Sequence, residues 1–439
     1  MKSSQHLHTP VLILGGGLAG TSAAYHLKNK PYLLIERENE LGGTARSFKV
    51  QNFTFDFTGH LLHLHTDYTK KLITKLLKGN FYACTRKAFI YSHKTYTKYP
   101  FQANTHGLPP DVIDECLLGF LRTYLKNKNR KINFQKLNFH DWCQEIFGSG
   151  ISKHFMIPYN EKLYQTSAKN LTVDWCGSFV PIVKPEEVIK GALQIQQKGF
   201  GYNTQFLYPK KGGIQVLAQS LGKNLDSVHF GTEIKSIDWK NKSVILSTGI
   251  NVSYKNLINT IPLLEFLNLM VSIPKEIDLA KKKLKHAGIL CLNVGVKRSK
   301  ISDKSWIYFP ENKYPFYRVG FPMNFTPHVV PKGCSSMYVE VPFDRIRNLS
   351  KEKIIETVRQ GLIDCEILKP SDKLPVFQFL PIRYAYVIYD KHRSKSLSKI
   401  FSFLSKNKIQ SIGRYGAWKY SFMEEAILDG KKAAEAILN

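Results

Sequence analysis

The stretch PVLILGGGLAGTSAAYHL (residues 10–27) constrains the fold of this chain more than any other part of the sequence. An apolar run leads into a turn where Gly15, Gly17 and Gly20 form the pattern G-x-G-x-x-G, and small residues follow. This order predicts a β-strand, a tight turn and a helix whose N-terminus can bind a pyrophosphate. Glu36, which ends the next apolar run, can accept hydrogen bonds from a ribose diol. We therefore predict a dinucleotide site, the alternative being a glycine-rich turn that binds nothing.

Further strand and helix patterns are distributed over the whole chain. The last stretch, KIQSIGRYGAW followed by MEEAILDGKKAAEAIL, predicts one more strand, a turn and a final helix. We predict an α/β fold in which a discontinuous, Rossmann-like domain carries an inserted helical domain and a mixed or antiparallel sheet domain for the substrate. The predicted boundaries are 1–66, 196–265 and 386–439 for the three parts of the Rossmann-like domain, 67–195 for the mainly helical domain and 266–385 for the sheet domain.

The composition restricts the classes of partner. Lysine and arginine number 63 against 34 acidic residues, a formal net charge of +29 that would steer anionic small molecules towards a cleft. The lysines are scattered and no nucleic-acid motif accompanies them, so we predict no nucleic-acid partner. No apolar run of about 18 residues and no secretory signal is found, which predicts a cytoplasmic protein without a membrane span. The seven cysteines include no C-x-x-C pair, which predicts reduced thiols and no metal site.

A second glycine pair occurs in the stretch GGTARSF (42–48), six residues after Glu36. It resembles the signature of the flavin amine oxidase superfamily, in which this segment lies along the FAD pyrophosphate. The resemblance implies FAD rather than NAD, Gly43 as a cofactor contact, and an FAD-binding domain of the glutathione reductase-2 type. Thr44 stands where that superfamily usually has a basic residue, so we expect Arg46 to carry the charge, unless it is a surface arginine.

Five more segments resemble the UDP-galactopyranose mutases of the eukaryotic type, a family within that superfamily. They are FDFTGHLLHL (55–64), KYPFQAN (98–104), GSGISKHFMIPYNEKLY (148–164), KSWIYFPENKYPFYR (304–318) and GRYGAWKY (413–420). Their order along the chain is that of the family. One departure is Thr58, which stands where the family favours glycine beside Gly59.

The resemblance implies a redox-neutral isomerase, an intramolecular transferase that interconverts UDP-galactopyranose and UDP-galactofuranose, or a related nucleotide sugar, through N5 of reduced FAD. A UDP-sugar is the implied substrate, and an external reductant such as NAD(P)H can serve as a further partner. Because the leaving group is a diphosphate, such a site needs fixed cations and hydroxyl donors where negative charge grows.

The resemblance also assigns roles to single residues. Catalytic roles fall to Arg318, Arg414, His60 and Tyr420. Further cofactor contacts fall to Gly59, Gly413 and Met423. Substrate contacts fall to Tyr99, Phe101, Gln102, Asn160, Trp306, Tyr308 and Tyr386.

In these roles the two arginines clamp the diphosphate, helped by three tyrosines, and the histidine lies against the flavin near N5. Tyr99 and Phe101 sandwich the uracil ring while Gln102 reads its polar edge. Asn160 and Trp306 line the sugar side. The helix that begins near the C-terminal methionine directs its N-terminus at the cofactor.

Two other functions remain open. An FAD-dependent oxidoreductase of the amine oxidase or protoporphyrinogen oxidase type would share the glycine signatures, and an aromatic cage at the flavin without arginines would favour it. A non-catalytic flavin-binding or nucleic-acid-binding protein is motivated only by the net charge. Structural alternatives exist for the single residues as well, such as a stacked surface arginine or a packed histidine. His63 and His65 are predicted to continue a strand, and FYACTRKAFIY (81–91) to lie in the core.

Overall fold

Two seven-stranded sheets organise residues 6–177, 179–195 and 204–439, which a computed structural model describes. The strands are β1 (His6–Leu14), β2 (Leu33–Ile35), β3 (Ser47–Val50), β4 (Phe53–Asp56), β5 (Phe81–Thr85), β6 (Ala88–Ser92), β7 (Thr95–Lys98), β8 (Gln205–Pro209), β9 (Val228–His229), β10 (Ile234–Asp238), β11 (Ser243–Leu246), β12 (Asn251–Asn259), β13 (His286–Val296), β14 (Trp306–Tyr308), β15 (Arg318–Gly320), β16 (Ser335–Pro342), β17 (Val376–Val387) and β18 (Ile409–Ser411).

The helices connect and cover these strands. They are α1 (Leu18–Leu27), α2 (Asp67–Leu77), α3 (Pro110–Asn127), α4 (Phe139–Ile151), α5 (Ile157–Tyr164), α6 (Pro185–Ala192), α7 (Gln215–Gly222), α8 (Leu263–Leu269), α9 (Lys275–Lys282), α10 (Lys351–Asp364), α11 (Arg393–Lys406), α12 (Gly413–Gly416) and α13 (Met423–Leu438). A π-helical turn (Ser152–Met156) joins α4 to α5. Within the described part of the chain, no helix has the length and apolar character that crossing a membrane requires.

The first sheet is parallel at its centre and ends in an antiparallel hairpin. Its order is β10-β11-β12-β1-β2-β9, with β18 also paired to β12. Strands β1, β2, β9, β12 and β18 run parallel to one another. Strand β11 pairs antiparallel with both β10 and β12. Leu12 and Leu14 of β1 pack into one hydrophobic cluster, whereas Val11 and Ile13 pack into another. Burial of both faces explains why β1 has a continuous apolar sequence.

The C-terminal segment completes this first sheet. Helix α13 approaches α1 so closely that a Cβ atom at Gly430 would lie 2.4 Å from the carbonyl oxygen of Ala19. The Ser22 hydroxyl donates a hydrogen bond to the carbonyl of Ile427 at 2.6 Å. The predicted last strand is β18, and the final helix begins at Met423, as predicted.

The second sheet separates a hydrophobic core from the side that faces the first domain. Its order is β17-β13-β16-β15-β14-β6-β7, with only β14 and β6 parallel among the neighbours. Met337, Val339 and Val341 of β16 pack in the same cluster as α10. Because side chains alternate along a strand, Tyr338 and Glu340 project from the opposite face. That face carries the candidate site.

The predicted α/β class, with inserted helices and a mixed sheet, is confirmed. The range 67–195 is mainly helical, but it also contains β5, β6 and β7, and the last two belong to the second sheet. The run 81–91 is therefore not all core: Tyr82 is 37% exposed, whereas Ile90 is fully buried. The exact domain boundaries remain a proposal.

Glu424 is the second residue of α13. It links this helix to the segment that follows Gly59 and His60. Its carboxylate accepts hydrogen bonds from the backbone N–H groups of His65 (2.8 Å) and Thr66 (2.9 Å). It also accepts from the ring of His65 (2.7 Å) and the hydroxyl of Thr69 (2.5 Å). Burial opposes ionisation, but these bonds outweigh it and lower the pKa of Glu424 to about 2. The prediction that His63 and His65 continue a strand is wrong, because this carboxylate holds the backbone in a loop.

We expect Glu424→Gln to destabilise the fold by about 2 kcal/mol at pH 7, because an amide accepts fewer of these hydrogen bonds than a carboxylate. The depressed pKa makes this contribution fully present above the ordinary glutamate pKa, near 4.5. It is lost as the pH falls towards 2, so the two proteins converge in stability there. Denaturant unfolding across this pH range measures the difference.

Glu435→Gln is the matched control, since Glu435 lies exposed on the same helix in an ion pair with Lys431. Surface pairs of this kind contribute little to stability, because solvent screens them. Equal loss of stability in the two variants at pH 7 would contradict the role given to Glu424.

Candidate functional site

The glycine-rich turn after β1 leaves open backbone at the start of α1. Gly15 has φ +96°, and a Cβ atom at Gly20 would lie 1.9 Å from the carbonyl oxygen of Gly15. No acidic side chain occupies the first turn of α1. The carboxylate of Glu36 reaches this turn, where it accepts the N–H of Gly16 at 2.6 Å. The structure thus brings the predicted glycines and Glu36 together in one place.

The second glycine pair lies against the first. The N–H of Gly42 donates to the carbonyl of Gly16 at 2.8 Å. A Cβ atom at Gly43 would lie 3.1 Å from the Cα of Gly17. Gly15, Gly17 and Gly43 are half-buried and carry no Cβ atom. Backbone of this kind at a helix N-terminus is a cradle that fits a pyrophosphate.

Arg46 is a buried residue rather than a surface one, with 9% of its area exposed. Its Nε donates to the carbonyl of Gly43 at 2.9 Å, and one terminal nitrogen forms an ion pair with Glu38 at 3.0 Å. The guanidinium also lies over the ring of Phe57, 5.4 Å from its centroid. Arg46 therefore fixes the second glycine pair, and its contact with a cofactor remains a prediction.

The C-terminal segment brings Arg414 to the second sheet. Gly413 has φ +76°, and a Cβ atom there would lie 2.8 Å from the Cβ of Ala19, so α12 rests directly on α1. Arg414 donates to the carbonyls of Ser421 (2.7 Å) and Ala385 (3.1 Å), the second of which belongs to β17. Lys419, in contrast, forms an ion pair with Asp429 at 2.9 Å. Of the two basic residues in this segment, only Arg414 faces the second sheet.

Arg318 is held on β15 by a carboxylate on the neighbouring strand. Its Nε and one terminal nitrogen donate to the two oxygens of Glu340, at 2.8 Å and 2.6 Å. The two residues stand opposite each other in the strand register, and Glu340 is fully buried. A buried bidentate pair of this kind fixes both the position and the plane of the guanidinium.

The loop that carries His60 packs against this pair. Tyr338 lies between Gly59 and Gly320, where Cβ atoms would come within 2.2 Å and 2.0 Å of its phenol group. The guanidinium of Arg318 lies 5.9 Å from the centroid of the same ring. Glycine at these positions lets the loop and the second sheet meet face to face.

His60 lies close enough to both arginines for their charges to act on its pKa. Burial lowers the pKa of His60 to about 4, with the backbone of Thr58 opposing the shift and the charges of Arg414 and Arg318 adding to it. Tyr386 connects the same two groups: Arg414 lies 5.8 Å from its ring centroid, and the charge of Arg318 acts on its pKa, which burial raises. Arg318 and Arg414, which lie 96 positions apart in the sequence, therefore flank one site.

Tyrosines extend this site away from the arginines. Tyr308 contacts the ring of Tyr99 (centroids 5.6 Å apart) and that of Tyr159 (5.3 Å). The guanidinium of Arg86 lies over Tyr99 at 5.0 Å. Tyr420 lies under Arg414 at 4.7 Å. Aromatic faces beside guanidinium groups form a surface suited to a flat, anionic ligand.

Four residues that were predicted to contact substrate also contact protein groups. Phe101 is fully buried and stacks on Phe155 at 5.2 Å, so it presents no open face beside Tyr99. The other three contacts are the amide of Gln102 with the carbonyl of Pro181 (2.7 Å), the amide of Asn160 with the carbonyl of Met156 (2.7 Å), and the ring of Trp306 with Phe206 (6.1 Å). The sandwich of the uracil ring by Tyr99 and Phe101 stays a prediction, and in this structure the Phe101 side chain packs in the core.

Some residues of the site escaped the sequence analysis. Arg86 stands in the run that was assigned to the core, although its charge was a signal against that assignment. Tyr159 directly precedes Asn160 and, unlike it, reaches the tyrosine cluster. Glu340 gave no local signal, because only the pairing of β15 with β16 brings it to Arg318. Among the described residues, no group of three or more His, Cys, Asp or Glu side chains is arranged to hold a metal ion.

Solved structures share this architecture. The chain is similar to reduced UDP-galactopyranose mutase, with 27% identity, a TM-score of 0.91, and coverage of 98% of this chain and 95% of the other. It is also similar to a protein from Exiguobacterium sp. 255-15 assigned provisionally as a protoporphyrinogen oxidase (15% identity, 99% of both chains, TM-score 0.75). Putrescine oxidase bound to putrescine is similar as well (13% identity, 99% of both chains, TM-score 0.69). The last two likenesses concern the fold alone.

A family model that spans most of the chain identifies the family to which the chain belongs. The family model of the flavin-containing amine oxidoreductases matches residues 18–438, which include α1, the second glycine pair and the C-terminal segment. The matched residues thus include the helix that follows the first glycine turn and the segment that carries Arg414. The chain therefore belongs to the flavin-containing amine oxidoreductase family and is a flavoenzyme.

Proposed function

We propose that this flavoenzyme is a nucleotide-sugar mutase, which interconverts UDP-galactopyranose and UDP-galactofuranose, or a related nucleotide sugar, without net oxidation. The observation that carries the proposal is the convergence of Arg318 and Arg414 at Tyr386, with His60 beside them. An amine or a porphyrin does not require two guanidinium groups at the reacting centre, whereas a departing diphosphate does. The similarity to UDP-galactopyranose mutase supports the same choice.

FAD is the cofactor that we propose for the cradle. When bound and reduced, FAD supplies a nucleophilic N5 for the anomeric carbon of the sugar. The backbone at Gly15, Gly17 and Gly43 would receive its pyrophosphate, since Cβ atoms are absent there. Glu36 would hold the ribose, because each of its carboxylate oxygens accepts one backbone N–H and can accept another hydrogen bond.

The two arginines are suited to different parts of the task. A guanidinium has five N–H donors. Arg318 uses two of them on Glu340, and Arg414 uses two on backbone carbonyls, so both retain donors for phosphate oxygens. Glu340 neutralises the charge of Arg318, so Arg414 carries the net positive charge of the pair. We propose that Arg318 orients the diphosphate and that Arg414 stabilises the charge that grows on it.

The tyrosines would bind the rest of the nucleotide sugar. Tyr308 and Tyr420 flank the arginines with hydroxyl groups, and Tyr99 offers a ring to the uracil. Arg86, over Tyr99, would add a cation at the nucleotide end. Gln102 and Asn160 each use one amide N–H on a backbone carbonyl and keep a second N–H and an acceptor oxygen. The substrate roles of Phe101, Gln102, Asn160 and Trp306 remain predictions.

The decisive measurement is the reaction itself. We expect the protein reduced with dithionite to convert UDP-galactofuranose to UDP-galactopyranose, and the oxidised protein to be inactive, since only the reduced flavin has a nucleophilic N5. Chromatography of the nucleotide sugars under anaerobic conditions measures the conversion. A nucleotide sugar other than UDP-galactose tested in parallel defines the substrate.

The contrary result is equally clear. Peroxide production with an amine or a tetrapyrrole, together with no affinity for UDP, would replace the proposal by an FAD-dependent oxidoreductase of the amine oxidase or protoporphyrinogen oxidase type. The flavin spectrum alone does not decide between the two, because both enzymes bind the cofactor.

Replacing Arg414 by Ala is expected to weaken the binding of UDP by about 2 kcal/mol, roughly thirtyfold, because a charge-assisted hydrogen bond to phosphate is lost. The flavin should stay bound. Lys419→Ala is the matched control, since Lys419 lies in the same segment but pairs with Asp429. Titration calorimetry with UDP and the flavin absorbance provide the two readouts.

The equivalent test at Arg318 needs a different variant. Arg318→Ala would leave Glu340 buried without a partner, which typically costs about 3–5 kcal/mol of stability. Arg318→Lys keeps the charge but removes the planar fork, so we expect weaker UDP binding in a folded protein. Loss of flavin with unchanged UDP affinity in either arginine variant would refute the assigned roles.

The lowered pKa of His60 predicts that the imidazole is neutral throughout the working range. We expect kcat/KM of the wild type and of His60→Gln to have the same pH dependence between about pH 5 and 8. An acid limb near pH 6.5 that the substitution removes would contradict this.

Stability provides a second measurement of the same pKa. The unfolded chain binds the proton of His60 with an ordinary pKa near 6.5, and the folded chain binds it only near pH 4. The wild type should therefore lose stability relative to His60→Gln as the pH falls from about 6.5 to 4.

A further inference from the structure

Lys162, on α5, is a lysine in the interior of the protein, with 3% of its area exposed. Its Nζ donates to the backbone carbonyls of Phe309 (3.1 Å) and Glu311 (2.9 Å), which are its hydrogen-bond partners within the described part of the chain. The carboxylate of Glu311 has other partners, since it pairs with Lys313 at 3.2 Å and accepts the backbone N–H of His93 at 3.2 Å. Because lysines are rarely buried without an anionic partner, the place of Lys162 indicates a specific role.

The hydrogen bonds of Lys162 do not require its charge. Burial lowers the pKa of Lys162 well below its usual range, the charge of Arg345 adds to this effect, and those of Glu311 and Asp344 oppose it. An amine that has lost its proton keeps two N–H groups, and two carbonyls accept from this one. The side chain therefore acts as a pair of hydrogen-bond donors that joins α5 to the segment after β14.

That segment connects the two strands that carry Tyr308 and Arg318. Phe309 directly follows Tyr308, and its N–H donates at 2.9 Å to the carbonyl of Tyr317. Arg318 is the next residue, and it stands opposite Tyr308 in the antiparallel register of β14 and β15, so the two side chains leave the same face. Burial raises the pKa of Tyr308, and the charge of Arg318 opposes the rise. Lys162 thus binds the backbone immediately beside this pair.

Helix α5 contacts the same strand a second time through Tyr159. This residue lies three positions before Lys162, so the two side chains are neighbours on the helix surface. The ring of Tyr159 lies nearly perpendicular to those of Tyr308 (centroids 5.3 Å apart) and Tyr317 (6.3 Å). One turn of α5 therefore holds both the ring of Tyr308 and the backbone that follows it.

We propose that Lys162 is a positioning residue, which fixes Tyr308 and Arg318 relative to α5 so that both can bind the diphosphate of the substrate. The inference rests on the proposed function, because it concerns the same site. Lys162 acts through the backbone and does not contact the substrate. If it served only the stability of the core, its loss would destabilise the protein without acting through Tyr308.

Titration calorimetry of the flavin-loaded protein with UDP tests this role. Lys162→Met keeps the length of the side chain and removes both donors. We expect it to weaken UDP binding about tenfold, the factor that corresponds to about one net hydrogen bond. The matched control is Arg345→Met, since Arg345 is exposed and binds Asn312 in the same segment. This control should change the affinity by about twofold or less, as surface substitutions usually do.

A double-mutant cycle with Tyr308→Phe separates positioning from stability. In the Tyr308→Phe background, Lys162→Met should weaken UDP binding by about threefold or less, because substitutions that act through one contact are not additive. The same factor in both backgrounds would overturn the proposal, since a general loss of stability does not depend on the Tyr308 hydroxyl. Circular dichroism verifies the fold of each variant. If Lys162→Met does not fold, Lys162→Gln, which keeps N–H donors, replaces it in the cycle, and a smaller effect with the same coupling is expected.

The outcomes distinguish this inference from the proposed function. Unchanged UDP affinity in Lys162→Met, with UDP binding by the wild type intact, would refute the positioning role alone. Absence of UDP binding by the wild type would refute the proposed function, and the positioning role with it.

Discussion

Close contact of backbone with backbone, at positions without a side chain, is the constraint on which this structure depends. The turn after β1 can form because Gly20 lies against the carbonyl of Gly15, and α13 can reach α1 because Gly430 lies against Ala19. These contacts unite segments from the two ends of the chain around one sheet. Any Cβ atom at these glycines would overlap a backbone oxygen, which cannot move aside as a flexible side chain can.

This packing determines where charge accumulates. Gly413 rests on α1 and so fixes the segment that carries Arg414, while the pairing of β15 with β16 places Arg318 on Glu340. The site consequently contains one guanidinium whose charge is balanced and one whose charge is not. His60 lies in the field of both and stays neutral at ordinary pH. An anionic ligand is the natural complement of such a site.

Sequence patterns predicted the elements whose signals are local. The glycine turn, the second glycine pair and the start of α13 at Met423 follow from neighbouring residues, and the arginines were found through the resemblance of whole segments. Contacts between distant segments were not predictable in this way. His65 looks like part of an alternating strand until Glu424, 359 positions later, binds its backbone N–H. Phe101 is an aromatic residue that could stack on a base, and only the packing of the inserted helices shows that it faces Phe155.

The position of Arg414 late in the chain has a consequence for biosynthesis. A ribosome synthesises β1, the glycine turn, the whole second sheet and then β18 before it reaches α12. Until those residues emerge, a nascent chain contains both partners of the Arg318–Glu340 ion pair but lacks the uncompensated cation and the helix that packs on α1. The uncompensated guanidinium is therefore made last, and a prematurely terminated product would lack it together with the helix whose Ile427 and Ala433 pack in the same cluster as Val11 and Ile13 of β1.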